Sequence, residues 1–410
     1  MISIAILGNG VVGSGVAELI EKNINSIKNK LNKGIKISKI LVKNKDKHRN
    51  SNNYRIITDK PEDILKEDVD IVVECMGGLN PAYEYIKMSL KQKKHVVTAN
   101  KDLIAKHGLE LLSLAKENNV KLYFEASVGG GIPILRPLKN CLIGNNVTSI
   151  KAILNGTTNF ILTKMSKENL SFDKALKLAQ ELGFAEADPT SDIKGYDSAR
   201  KLNILSNIAY NRNLDWETFK VEGIDKLDEF DILKSNRLGG TVKFIGISNI
   251  INDKIHASVR PVIVSKDSIL GKVENEFNSI VIEGDSVGEL AFYGKGAGKL
   301  PTASAVYADI MNVLINKKED QLLFNKEPAN LQKSFTDKKD WIVRIKVDNK
   351  DRHKIISKLS EKFNKVYIDT DDLLPKDEVF ATIYSVYEKD LEENLRIFTD
   401  INNVKTLMIL

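Results

Sequence analysis

Residues 2–16, ISIAILGNGVVGSGV, form a short apolar run that meets Gly8, Gly10 and Gly13 in G-x-G-x-x-G spacing and continues into a helical pattern. Strand, tight turn and helix in that order constrain the fold more than any other feature of the chain. Gly8 permits the turn, Gly10 lets the backbone approach a pyrophosphate, and Gly13 allows the helix to pack closely on the strand. The first helical residues, Val11 and Val12, supply free amides to the anion. The spacing predicts a dinucleotide-binding unit with Gly8, Gly10, Val11, Val12 and Gly13 against the cofactor. A structural glycine turn is the alternative reading of the same pattern.

The next apolar strand, ISKILV, runs into Lys43, Asn44, Lys45, Asp46 and Lys47. An acidic residue at this point binds the 2′-hydroxyl of NAD, whereas a cation suits the 2′-phosphate of NADP. Lys43 therefore favours NADP, while the same lysines also fit a generally Lys-rich surface and Asp46 remains a candidate hydroxyl partner. Strand and helix patterns then alternate: DVDIVVECMGG, a helix near Tyr83 to Lys91, KHVVTANK, a helix from Leu103 to Glu117, and VKLYFEASVGGG. Alternation of this kind predicts a parallel sheet with crossover helices and places functional residues at the C-terminal ends of the strands. Gly77, Gly78, Asn100 and Lys101 fall at such ends, so Lys101 is expected to point into the nicotinamide crevice, although a lysine opening a surface helix fits the same position equally. Cys75 reads as a buried packing residue within a strand.

A second concentration of chemistry is AQELGFAEADPTSDIKGYDSARK, residues 179–201. Asp197 and Lys201 are four apart, so on a helix they share a face and the carboxylate can hold the ammonium. Glu186, Asp188 and Asp192 precede them on a loop broken by Pro189 and Gly195. Charge concentrated beside a rigid helix suits capture of a small zwitterion, and it equally describes a solvated acidic loop with an ordinary ion pair. Gly183 has a local role as the cap of the helix DKALKLAQEL, whose Ala175, Leu176, Leu178, Ala179 and Leu182 form one stripe.

GNGVVGSGV, HVVTANK, EASVGGGIPI, NGTTNFIL, GFAEADPTSDIKGYDSARK and GKGAGKLPTASAVYADI occur in an order and spacing that resembles homoserine dehydrogenase over about three quarters of the chain. Asn9 and Val11 depart from the commoner residues of the glycine turn. The resemblance implies reversible reduction of L-aspartate 4-semialdehyde to L-homoserine with NADPH or NADH. By the same resemblance Lys201 is the proton donor, Lys101 lies beside the nicotinamide, and Glu186 and Asp197, helped by Asp192, bind the substrate ammonium. Gly183, Gly296 and Gly298 correspond to residues that close over the cofactor. Glu125, Val128, Gly130 and Ile132 correspond to a monovalent cation site, expected to hold sodium, with Glu125 supplying charge and the others carbonyls.

The expected architecture is α/β: a Rossmann-type nucleotide domain over residues 1–130, completed by about 290–315 with Pro301 opening a helix, and an α+β catalytic and dimerisation domain over 131–290. Residues 316–339 read as a linker. Residues 340–410 show β-α-β-β-α-β order, with helices at Arg352–Phe363 and Leu391–Ile401, and predict a ferredoxin-like module. In this position the module resembles an ACT domain, but Asp348, Asn349, Lys350 and Asp351 lack the glycine of an amino-acid-binding loop. Subunit pairing, as a homodimer or homotetramer, is expected of it rather than threonine feedback.

The net charge of +6 comes from dispersed lysines, with no arginine-rich stripe to suggest nucleic acid. No long apolar run or leader pattern is present, so the chain is expected to be cytoplasmic, and monofunctional because no kinase segment is attached. Five histidines and two cysteines, Cys75 and Cys141, form no zinc spacing. Two other functions fit the same residues: a dehydrogenase of a related semialdehyde, and a non-catalytic nucleotide-binding amino-acid sensor.

Overall fold

A computed structural model describes residues 1–65, 68–315, 324–348, 351–371, 374–398 and 404–410. These residues gather into two compact units. The first comprises Met1–Ile150, Asp197–Thr218 and Phe277–Ala329, and the second Lys151–Tyr196, Phe219–Glu276 and Asn330–Leu410.

In the first unit, six strands among the described residues form a parallel sheet: β1 (Ile2–Leu7), β2 (Ile35–Leu41), β3 (Ile57–Thr58), β4 (Ile71–Glu74), β5 (His95–Thr98) and β6 (Leu122–Tyr123). Their order is β3-β2-β1-β4-β5-β6. β1 buries nearly every residue, as a strand covered by helices on both faces must. The order reverses between β1 and β4, and a crevice at the C-terminal ends of the strands follows from that switch. The helix Lys299–Ile315 returns to this unit and lies on the helix Val11–Lys22. Ala303, Val306 and Ile310 share one core with Ile4, Ile6, Val16 and Ile20. The approach is close enough that a Cβ on Gly15 would lie 2.8 Å from the Lys299 carbonyl oxygen.

In the second unit the strands Gly240–Ile251 and Lys254–Ser265 pair antiparallel along their whole length. Val404–Ile409 runs parallel to the latter, with Val262 opposite Met408, and then come Lys339–Lys346, Glu378–Val386 and Val366–Asp369, each antiparallel to its neighbour. The last four strands thus follow the 4-1-3-2 order of the β-α-β-β-α-β module. Its helices are Arg352–Lys362 and Glu388–Leu395; part of the expected Leu391–Ile401 helix, and Asn349 and Lys350, lie outside the described residues. Buried ion pairs fasten the module to the rest of its unit: Arg344 to Asp228 at 2.7 Å and Asp231 at 2.5 Å, and Arg260 to Glu388 at 2.7 Å.

Four expectations need correction. Residues 340–410 do not stand apart, because their last strand extends the sheet of the Gly240–Ser265 hairpin. Residues 197–218, expected in a domain beginning at 131, group with the parallel sheet, and Asp197 and Arg200 form ion pairs with the helix that follows β5. The segment read as a linker is packed where it is described: Phe324 meets Phe124 edge-on at 5.9 Å, and Asn330–Gln332 pairs with Lys254–His256. Residues 316–323 lie outside the description. Cys75 lies just beyond β4 rather than within it and is half-buried, while packing against the core as expected.

Candidate active site

The glycine turn closes the C-terminal end of β1. Gly8 has φ +100°, and a Cβ there would lie 2.8 Å from the Cys75 carbonyl oxygen; one on Gly13 would lie 2.0 Å from the Gly8 carbonyl oxygen. A Cβ on Gly10, Gly77 or Gly78 would meet nothing within 4 Å. The turn is therefore tight on its protein side and open at the residues expected to face a dinucleotide. Val11 is exposed and Val12 half-buried at the start of the helix. Asn100 accepts from the Leu103 amide at 3.1 Å and donates to the Gly78 carbonyl at 2.6 Å, which joins the ends of β4 and β5.

Sequence reasoning missed Glu74. Its carboxylate is fully buried at the end of β4 and accepts from the amides of Met76 at 2.7 Å and Gly77 at 3.1 Å and from the Thr98 hydroxyl. Burial pushes its pKa up, although these donors favour the charged form. The available signal was an acid closing an otherwise apolar strand, IVVE.

After β2, Lys43 is exposed, and Asp46 is held by Arg49 through two bonds to one oxygen, at 2.9 and 3.1 Å. Asn9 reaches from the glycine turn to His48, 3.3 Å away.

The helix Lys101–Glu117 begins directly after β5, and in the same unit Asp197 lies between two ammonium groups. Lys201 Nζ donates to Asp197 Oδ2 at 2.7 Å, and Lys101 Nζ is 3.2 Å from Oδ1. The Asp197 side chain is 7% exposed and the Lys201 side chain 14%, so this is no solvated surface pair. Burial works against the charge on Lys101, but Asp197 and Asp102 outweigh it and its pKa lies above the ordinary lysine value. Such a group holds a fixed positive charge beside a second amine, an arrangement suited to an oxygen that becomes negative during reaction.

Glu186, Asp192 and Gly183 belong to the second unit. Glu186 is exposed, and Asp192 accepts from Asn155 at 2.7 Å on a short helix, Thr190–Ile193, where a loop was expected. Asp188 accepts from the Thr190 amide in an Asx turn just before that helix. Gly183, at φ +76°, closes the helix Phe172–Glu181 in a Schellman motif. Its amide bonds the Gln180 carbonyl, and the Phe184 amide bonds Ala179. Leu182 is exposed and leaves the predicted stripe.

The turn expected to hold a cation lies in the first unit. The carbonyls of Val128, Gly130 and Ile132 are in buried residues and receive no hydrogen bond among the described residues. A Cβ on Gly130 would lie 2.2 Å from the Gly296 carbonyl oxygen, so the late glycine segment packs directly on this turn, with Gly298 at φ +119°. Glu125 fixes the turn: its carboxylate accepts from the amides of Ile134, Leu135 and Arg136 at 2.6 to 2.9 Å. Asp309 accepts from the Glu125 amide at 2.8 Å and from Arg136 at 2.7 Å. Burial and the Glu125 charge push its pKa up to about 8.

Residues 8–125 match the homoserine dehydrogenase NAD-binding domain profile and residues 133–311 the homoserine dehydrogenase profile. The chain belongs to the homoserine dehydrogenase family. It is an NAD(P)-dependent oxidoreductase that interconverts L-aspartate 4-semialdehyde and L-homoserine, a step of amino-acid biosynthesis. The homoserine dehydrogenase of Bacillus subtilis is 46% identical over 77% of this chain and 74% of its own length. The crystal structure of the Thiobacillus denitrificans homoserine dehydrogenase is 32% identical, with a TM-score of 0.89 over 100% of this chain and 98% of that one. A hyperthermophilic archaeal homoserine dehydrogenase solved in complex with NADPH is 31% identical, with a TM-score of 0.66 over 78% of this chain and 99% of its own. Among the described residues no helix is long and apolar enough to cross a membrane, and no cluster of His, Cys, Asp and Glu is fit to hold a metal ion.

Proposed function

We propose that Lys201 transfers the proton in homoserine dehydrogenase chemistry, with Asp197 and Lys101 fixing its position and charge. The bound nicotinamide supplies or accepts the hydride. As hydride reaches the aldehyde carbon, charge builds on oxygen, and Lys201 gives that oxygen its proton; in the reverse direction the neutral amine takes the hydroxyl proton from homoserine. The buried position of Asp197 between two amines carries this reading, because a carboxylate so placed orients both. Lys101, held protonated by Asp197 and Asp102 against burial, adds a fixed positive charge. Glu186, Asp192 and Asp197 are our candidates for the substrate ammonium, since a carboxylate is the natural partner of a cation.

For the cofactor we favour NADP. Asp46, the one acid near the end of β2, is engaged by Arg49, while Lys43 is exposed. Gly8, Gly10, Gly13, Val11, Val12, Gly77 and Asn100 fit the pyrophosphate and nicotinamide end through the open cradle at Gly10 and Gly77. Gly183, Gly296 and Gly298 remain our candidates for closing over it. The carbonyls of Val128, Gly130 and Ile132 fit a monovalent cation, sodium by preference, which would brace the turn without entering the reaction.

The test is homoserine-dependent reduction of NADP and NAD at alkaline pH, comparing the parent enzyme with Lys201→Ala. Loss of turnover by 10²-fold or more, with cofactor binding retained, is the expected result. Full turnover in the variant would remove Lys201 from the reaction.

A further inference from the structure

Beside the two lysines lie Arg200, which the proposed chemistry does not use, and Asp102, which it uses only to hold Lys101 protonated. Asp102 follows Lys101 on the helix Lys101–Glu117, and Arg200 precedes Lys201 on the helix Tyr196–Tyr210. Arg200 Nη1 is 3.4 Å from Asp102 Oδ1. The two helices are therefore tied twice with opposite polarity: Lys101 to Asp197 at 3.2 Å, and Asp102 to Arg200 at 3.4 Å. The Arg200 guanidinium also lies over the Trp216 ring, 4.6 Å from its centre. Arg200 and Asp102 are 23% and 31% exposed in their side chains, partly shielded from solvent.

We infer that Asp102, Arg200 and Trp216 form a strut that positions the Lys101–Asp197–Lys201 cluster and sets how readily it gives up a proton. The inference rests on Lys201 as the proton-transfer group. The charged groups acting on Lys101 are Asp197, 3.2 Å away, and Asp102, its neighbour in the chain, which favour its ammonium form, and Arg200, which opposes it. While Arg200 occupies Asp102, Lys101 is left to Asp197, and Asp197 divides its charge between two amines. Without Arg200, Asp102 competes for Lys101. Asp197 is then left to grip Lys201 alone, and that amine holds its proton more tightly. Without Asp102, Arg200 is an unopposed positive charge beside the cluster, and the proton leaves more easily.

Opposite variants should therefore move the pH dependence in opposite directions. In homoserine oxidation, kcat/KM rises with pH as the accepting amine loses its proton. Arg200→Gln is expected to move the midpoint of that rise upward, and Asp102→Asn downward, each by a few tenths of a pH unit and at most about 0.7. The double variant Asp102→Asn/Arg200→Gln should return toward the parent midpoint, and Arg200→Lys, which keeps the charge, should stay close to it. A strut that merely supports the fold predicts otherwise: all four variants lose activity to varying degrees with one unchanged midpoint, and that outcome overturns the inference. Lys201→Ala is measured alongside. If it keeps full turnover, the proton-transfer reading fails and the strut's chemical role fails with it, whereas an inactive Lys201→Ala with superimposable profiles for the other variants refutes the strut alone.

Discussion

Acid should weaken this fold through one histidine. His256 lies on the strand Lys254–Ser265, is 2% exposed, and stacks 3.8 Å from the Phe335 ring centre. Neither ring nitrogen has a hydrogen-bond partner among the described residues. Burial is the main cause that pushes its pKa down to about 4 from an ordinary 6.5; Arg260 and Lys220 add to the shift, and Glu388 and Asp337 oppose it. The folded state therefore holds the neutral ring, and the stabilisation is complete above pH 6.5 and lost as pH falls toward 4. With those two values, proton uptake by the unfolded chain costs the fold about 2 kcal/mol at pH 5 and about 3 kcal/mol at pH 4. The assay is urea unfolding at pH 7 and pH 5 of the parent and of His256→Phe, which keeps the stacking and cannot titrate. Other carboxylates titrate in both proteins, so the comparison isolates His256. The parent should lose about 2 kcal/mol more than the variant between the two pH values. Equal losses would refute the claim that His256 is buried in its neutral form.

The remaining predictions concern cofactor, stability and catalysis. Gly13→Ala puts a methyl 2.0 Å from the Gly8 carbonyl oxygen, which neither backbone can accommodate; NADP binding measured by fluorescence titration should weaken by about tenfold or more, equivalent to roughly 1.4 kcal/mol. Arg344→Met leaves Asp228, Asp231 and Glu378 without their shared cation in a largely buried site. It should cost about 3–5 kcal/mol, read as a lower urea midpoint at unchanged slope. Lys201→Ala should abolish homoserine oxidation while NADP still binds, as steady-state kinetics and titration together would show.

Much of the first unit was legible because its signals are local. The glycine spacing at 8–13, the alternation of apolar strands with helical stretches, and the capping glycine at 183 each lie within a few residues, and each matches the structure. The four-residue step from Asp197 to Lys201 likewise became a 2.7 Å bond on one helix face. Glu125 shows where such reading stops. Its charge and its place in a glycine-rich turn can be read from the sequence, but not the three amides that donate to its carboxylate.

What the sequence by itself determined, then, is the succession of elements, the nucleotide-binding turn, and the pairing of Asp197 with Lys201 on one helix, since periodicity, turn chemistry and short spacings act between neighbours in the chain. What only the tertiary structure decided is which distant groups meet. Lys101 reaches Asp197, Asp102 reaches Arg200, Asp309 bonds to Glu125 across 184 positions, and the last strand joins the hairpin at Val262 rather than closing a separate module. The physical reason is that such pairings are chosen by the packing of whole faces. Burial then turns each charge into a demand for a partner, and only the folded chain brings a partner within reach.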